Sequence, residues 1–225
     1  MMTDIFSSFD QNIFLFSDKI WMFILFINIF FNSSWWILPS SSIFMKMKLD
    51  LFMFSQLSST LSIFLKSFMF FISSIFCLLI LLNILGLFPY FFSLSSHLLF
   101  SLNFSIPLWM SLLLSSFIFN WKLSSANLLP SGAPLWLNPF LILIETTSIL
   151  IRPITLGFRL AANMSAGHII LILISTYLAS SLFSTLFFFL FFIQISYFLF
   201  EIAISLIQAY IFCLLLSLYS NDHAV

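Results

Sequence analysis

Five ionisable residues lie inside long apolar stretches of this sequence: Glu145, Arg152, Arg159, His168 and Glu201. A charge held near the centre of a bilayer costs roughly 2.5–3.5 kcal/mol or more, so such groups point first to a path for ions or protons. Glu145, Arg152 and Arg159 recur every seven residues. On a helix that spacing returns to nearly the same face, with a drift of about 20° per heptad, and Asn163 continues the face one turn later. The next apolar stretch repeats the device with Gln194, Glu201 and Gln208, and Ser205 falls on the same stripe. Two polar stripes on helices rich in Phe and Leu cannot face lipid; they must face each other, water, or a partner with polar groups of its own. Glu145 and Arg152 also admit a plainer reading, as a pair along the helix or as side chains reaching the membrane edge.

Pairing sharpens the chemistry. Ser180, Ser181 and Ser184 mark a turn between the two stretches, and an antiparallel hairpin centred there pairs residues whose numbers add to about 365. His168 then lies near Glu201, Arg159 near Gln208, and Glu145 near Asp222. Three polar levels result: a His and a carboxylate at one end, an Arg among amides at mid-depth, and two carboxylates at the other end. Carboxylates and imidazoles exchange protons near neutrality, whereas a guanidinium is never deprotonated. A proton can be handed in at either end but cannot pass along the side chain in the middle.

The elements that carry these residues must be membrane helices. Of 225 residues, 62% are hydrophobic and only 6% charged, with a mean hydropathy of +1.20, whereas a soluble domain has about a quarter of its residues charged. That excludes a soluble enzyme, a nucleic-acid binder and a disordered chain. A crossing helix needs about 20 apolar residues. Residues 20–38 form the first such run, ended by Pro39 and the serines that follow. Residues 43–66 mix Phe, Leu and Met with Lys46, Lys48, Asp50, Gln56 and Lys66, which suits an amphipathic helix lying in the interface. A second span covers residues 67–87 and stops at Pro89. A third, 98–120, contains Pro107, which is expected to kink or unwind it. Residues 122–139, with Pro130, Gly132, Pro134 and Pro139, read as a loop. The last two stretches, 140–179 and 185–219, are each far too long for one perpendicular crossing, so each is either broken or strongly tilted.

Lys46, Lys48, Lys66 and Lys122 put the loops that hold them on the inner side, with the N-terminus outside and the C-terminus inside; Lys19 alone dissents. Asp4, Asp10 and Asp18, with no Arg beside them, read against a basic targeting segment. Thirty-four Phe hint at a T-rich coding strand of the organellar kind. Cys77 and Cys213 sit in apolar runs and read as buried thiols.

At this point the sequence resembles subunit a of the F-type ATP synthase in its mitochondrially encoded form. The likeness is carried by Asn83-Ile84-Leu85-Gly86-Leu87-Phe88-Pro89, Ile106-Pro107-Leu108-Trp109, Pro130-Ser131-Gly132-Ala133-Pro134, Ile144-Glu145-Thr146-Thr147 through Arg152-Pro153, Arg159-Leu160-Ala161-Ala162-Asn163-Met164 with Ala166-Gly167-His168, and Glu201-Ile202-Ala203 through Gln208-Ala209-Tyr210 to Ser217-Leu218-Tyr219. It covers about residues 67–225, expected as the proton-channel domain with its long hairpin at 138–219; residues 1–66, an N-terminal span and interfacial helix, share the pattern only.

The resemblance implies an all-α, multi-span integral membrane protein whose last two helices are long and steeply tilted. It implies two offset proton half-channels beside a rotating ring of c subunits, in the inner mitochondrial membrane, with other membrane-sector and stator subunits, lipid and protons as partners and no nucleic acid. Arg159 matches the arginine that faces the ring carboxylate, and Asn163 and Gln208 match its amide neighbours. His168 and Glu201 match the half-channel from the intermembrane space, Glu145 the exit to the matrix, and Asp222 a terminal acidic position. No bond-breaking chemistry, cofactor or metal is expected. Two rivals fit less well: a redox-driven pump subunit would carry Lys in its later spans or paired His ligands, and a structural scaffold would show no polar stripes at helical spacing.

Overall fold

The structure, a computed structural model, describes residues 9, 41–60, 67–88, 91–126, 128–129, 135–181 and 186–221. The expected first span at 20–38 and Asp222 lie outside the described residues. Within them the chain is all helical: α1 (Ser41–Leu57), α2 (Phe68–Leu87), α3 (Leu98–Ala126), α4 (Asn138–Ser180) and α5 (Leu186–Asn221), with short 3-10 turns at Leu94–Ser96 and Leu135–Leu137. Helices α2 to α5 are each long and apolar enough to cross a membrane.

α2 is apolar nearly all round and forms the centre, as expected of a helix with neighbours on several faces. Ile72, Ile75, Phe76, Leu79 and Ile80 pack with Leu156 and Leu160 of α4, with Ala209, Phe212, Cys213 and Leu216 of α5, and with Met53 and Leu57 of α1. α1 thus uses one face against α2, helped by an edge-on contact of Phe54 with Phe70 at 5.3 Å. Its other face exposes Phe44, Met45, Met47 and Leu51. Ser67, just before α2, has φ 60°, a left-handed conformation that costs a non-glycine residue of order 1 kcal/mol. At the other end Phe88 turns extended, with φ −71° and ψ 138°, because the ring of the following Pro89 disfavours helical backbone before it.

Two sequence expectations need correction. Pro107 does not break α3, whose non-helical backbone lies instead at Asn120, with φ −148° and ψ 83°. The helix resumes to Ala126, so the expected loop at 122–139 is helical at its start, and Pro139 falls in the first turn of α4. A proline in the first turn has no hydrogen-bonded N–H to lose, which makes it a helix starter there. The open choice for the two long stretches is also decided: α4 has 43 residues and α5 has 36, each one continuous helix. At 1.5 Å per residue α4 is about 65 Å long, twice the hydrocarbon thickness.

Serine-rich spans are tolerated because most hydroxyls donate to a carbonyl of their own helix three residues back. Ser73, Ser101, Ser116, Ser196 and Ser217 all do so, which satisfies the group without a partner helix. At Gly157 of α4, a Cβ would lie 2.8 Å from Ser105 Oγ and 3.0 Å from Leu102 Cδ2 of α3. The glycine and the small serine are what let these two helices cross closely.

Candidate functional site

The α4–α5 hairpin sets its polar residues in two zones, one nearer the turn and one farther from it. In the nearer zone Glu201 of α5 is 3% exposed and lies flat against Gly167 of α4. A Cβ on Gly167 would stand 2.7 Å from the Glu201 carboxyl carbon and 3.2 Å from its Cγ, so only glycine leaves room for this carboxyl. His168 is the next residue on α4, which agrees with the expected pairing to within one residue. Neither Glu201 oxygen, nor His168 Nε2, has a hydrogen-bond partner among the described residues. The two groups do not bond each other directly. The ring of Phe9 stands edge-on to His168, with centroids 6.4 Å apart.

α2 closes the other side of this zone. Gly86 brings its backbone to His168: a Cβ there would be 4.0 Å from His168 Nε2 and 3.4 Å from Ser93 Cβ. One turn earlier, the fully buried Asn83 donates from Nδ2 to the Ser205 carbonyl at 3.2 Å, one turn beyond Glu201, and leaves its own Oδ1 without a partner. The segment after α2 adds Ser93, Ser95, Ser96 and His97. Sequence reasoning did not single these residues out, because a Ser-rich stretch after a proline reads as loop and has no periodicity to place it.

The farther zone is satisfied within the chain. Arg152 Nη2 lies 3.6 Å from Glu145 Oε1, with the two side chains 35% and 40% exposed. The Arg152 guanidinium also stands over the Tyr219 ring of α5, 5.4 Å from its centroid, a cation–π contact. This is the plainer reading of the Glu145–Arg152 spacing, and the pairing of Glu145 with Asp222 lies outside the described residues.

Arg159 falls between the zones. Its neighbours Leu160 and Ala161 are buried in the core, while Arg159 itself is exposed, on a face it shares with Thr155, Phe158, Ala162 and Ala166. Among the described residues it has no ion pair and no hydrogen bond. Asn163 and Gln208 are half-buried, and neither is hydrogen-bonded to Arg159.

Four helices long and apolar enough to cross a membrane, with ionisable groups on the two longest of them, define a multi-pass α-helical membrane protein. Comparison with known proteins is specific: the family model described as ATP synthase A chain matches residues 19–221, and the chain belongs to that family. It is 41% identical to ATP synthase subunit a of Albinaria caerulea over 225 residues, 99% of this chain and 100% of the relative. It is 38% identical to ATP synthase subunit a of Drosophila melanogaster, covering 99% of both. It is 36% identical to the ATP synthase F(0) complex subunit a of Rhopalosiphum padi, over 99% of this chain and all of that one.

Proposed function

We propose that this chain conducts protons across the inner mitochondrial membrane as two offset half-channels of the F-type ATP synthase, and so drives rotation of the c-ring without catalysing a reaction itself. Glu201 and His168 form the half-channel from the intermembrane space, and Glu145 and Asp222 the exit towards the matrix. Arg159 separates the two, with Asn163 and Gln208 beside it. The N-terminus is in the intermembrane space and the C-terminus in the matrix, from the placement of Lys46, Lys48, Lys66 and Lys122.

The carrying observation is the contrast between Glu201, a buried carboxyl, and Arg159, a cation on the surface of a membrane helix, neither of which has a partner among the described residues. A ring carboxylate in lipid must be protonated, because a bare charge there is expensive; opposite Arg159 it is favoured as the anion. Rotation then requires a proton from one half-channel and release into the other. Each proton crossing 100 mV supplies about 2.3 kcal/mol.

The test is Glu201→Gln in the assembled enzyme. The amide keeps the volume beside Gly167 but cannot ionise, so proton conduction should fall by about tenfold or more, a barrier increase of about 1.4 kcal/mol or more, with the complex still assembled on a native gel. Unchanged conduction would overturn the reading; loss of assembly would favour a structural role for Glu201.

A further inference from the structure

Buried polar groups are almost always hydrogen-bonded, and here the exceptions gather in one place. Apart from Asn138 Oδ1 at the start of α4, every unpartnered buried side-chain atom among the described residues belongs to Asn83, Ser95, His97, His168 or Glu201. Asn83 and Ser95 are 0% exposed. They come from α2, the 3-10 turn at Leu94–Ser96, α4 and α5, which pack around Gly86 and Gly167. Such a concentration is what a pocket holding ordered water presents, since each water needs two to four polar partners.

Polar contacts link several of these residues. The Ser93 and Ser96 hydroxyls are 2.8 Å apart, and Ser96 also donates to the Ser93 carbonyl at 2.6 Å. Ser93 touches the Gly86 position that His168 Nε2 also approaches, and His168 adjoins the Gly167 against which Glu201 lies. At the far end of this line from Glu201 stands His97, partly buried, its ring stacked on Phe92 with centroids 4.9 Å apart. Its Nε2 is buried and unpartnered.

We infer that the turn after α2 is the water-holding mouth of the Glu201 half-channel, and that His97 is its proton-relay residue, taking protons from outside water and releasing them into the pocket towards His168 and Glu201. The step balances: one proton taken up at one ring nitrogen is matched by one released from the other, and the ring returns to neutral. Burial holds the His97 imidazole below the usual histidine range, so it is neutral at pH 7 and ready to accept. The elements packed on the turn bring few other titratable groups. α2 carries only the Cys77 thiol, and α3 has no charged residue before Lys122. α4 contributes His168, and α5 contributes Glu201 behind it. This inference rests on the proposed half-channel.

The experiment uses the whole enzyme in vesicles, with ATP synthesis driven by an imposed gradient while the pH of the outer face is varied. His97→Gln should slow synthesis about fivefold at pH 8, where protons are scarce, and by less than about twofold at pH 6, where water alone supplies them. An equal loss at every pH would mean a structural role, and an unchanged profile would mean none; either overturns the relay. Ser95→Cys, which changes one atom, tests the pocket independently. A small water-soluble thiosulfonate added from the outer side should label the new thiol and block conduction, whereas native Cys77 and Cys213 are buried and should not react. An unlabelled thiol at position 95 in a conducting enzyme would overturn the pocket. If Glu201→Gln slows conduction while both of these variants behave as the unsubstituted enzyme, this inference alone fails; if Glu201→Gln is itself silent, the half-channel reading fails with it.

Discussion

Arg152 and Arg159 stand one heptad apart on α4, yet the structure treats them in opposite ways. Around Arg152 the chain supplies its own answer to the charge: Glu145 one heptad back and the Tyr219 ring across the hairpin. Around Arg159 the described residues supply none, and Arg159 lies on a face shared with Thr155, Ala162 and Ala166. A bare cation inside a membrane is costly, and in the proposed mechanism the partner of Arg159 is the carboxylate that the ring brings to it. The turn-proximal zone repeats the lesson with opposite sign, since Glu201 is a buried acid with no bond among the described residues. Regions that need only stability satisfy themselves, and regions that exchange charge with something else stay open.

The largest effect should come from Arg159→Ala. Coupled ATP synthesis should fall by about a hundredfold or more, equivalent to about 2.7 kcal/mol, while a passive proton leak appears where water joins the two half-channels. Arg159→Lys keeps the charge but loses the fork geometry and the very high pKa, and should lie between. Synthesis in inner-membrane vesicles, measured beside their proton permeability, checks both. Near-normal coupled synthesis in the alanine variant would break the comparison.

Two glycine substitutions sharpen the turn-proximal side of it. Gly167→Ala puts a methyl into the space of the Glu201 carboxyl, so Glu201 must move. Overpacking of this kind costs about 1–3 kcal/mol, and proton conduction should drop by about tenfold. Gly86→Ala meets only ordinary contacts, the shortest at 3.4 Å, and conduction should change by less than about threefold, under 1 kcal/mol. Equal effects at the two positions would mean that contact with Glu201 is not what matters.

The smallest effect belongs to Arg152→Gln. It breaks a partly exposed ion pair, worth about 0.2–1 kcal/mol at a solvated surface, and removes a cation–π contact. Assembly should be intact and coupled synthesis within about threefold of normal. A loss as deep as that of Arg159→Ala would show that the two arginines do the same work after all.

What could be read from sequence follows from what periodicity can carry. The heptad spacing of Glu145, Arg152 and Arg159 and the matching stripe on the next stretch put His168 beside Glu201 before any coordinates, because a turn at the Ser-rich segment fixes which residues meet. That α4 and α5 run as long helices came from the family resemblance and not from periodicity, since Pro153 inside an apolar run is equally consistent with a break. Pro107 misled because a proline inside an apolar run need not unwind a helix, and the non-helical residue is Asn120, where the expected span ends. The cluster of unpartnered polar atoms at Asn83, Ser95 and His97 was illegible for a different reason. It is assembled from a turn and three helices, and only proximity in space shows that their polar atoms lack partners. Gly167 and Gly86 were visible only as parts of the family resemblance; their work as flat surfaces under Glu201 and His168 is a tertiary fact.

The central claim is that Arg159 waits for a carboxylate brought by the ring, and proximity tests it most directly. Ala162 is exposed one turn from Arg159 on the same face, and the native cysteines are buried, so Ala162→Cys offers a single reactive thiol beside the arginine. In the assembled complex, paired with a cysteine placed one turn from the ring carboxylate, it should form a disulfide on mild oxidation and stop rotation until reduced. A complex that contains the ring, assembles normally and gives no cross-link from position 162 would place Arg159 away from the ring and contradict the account.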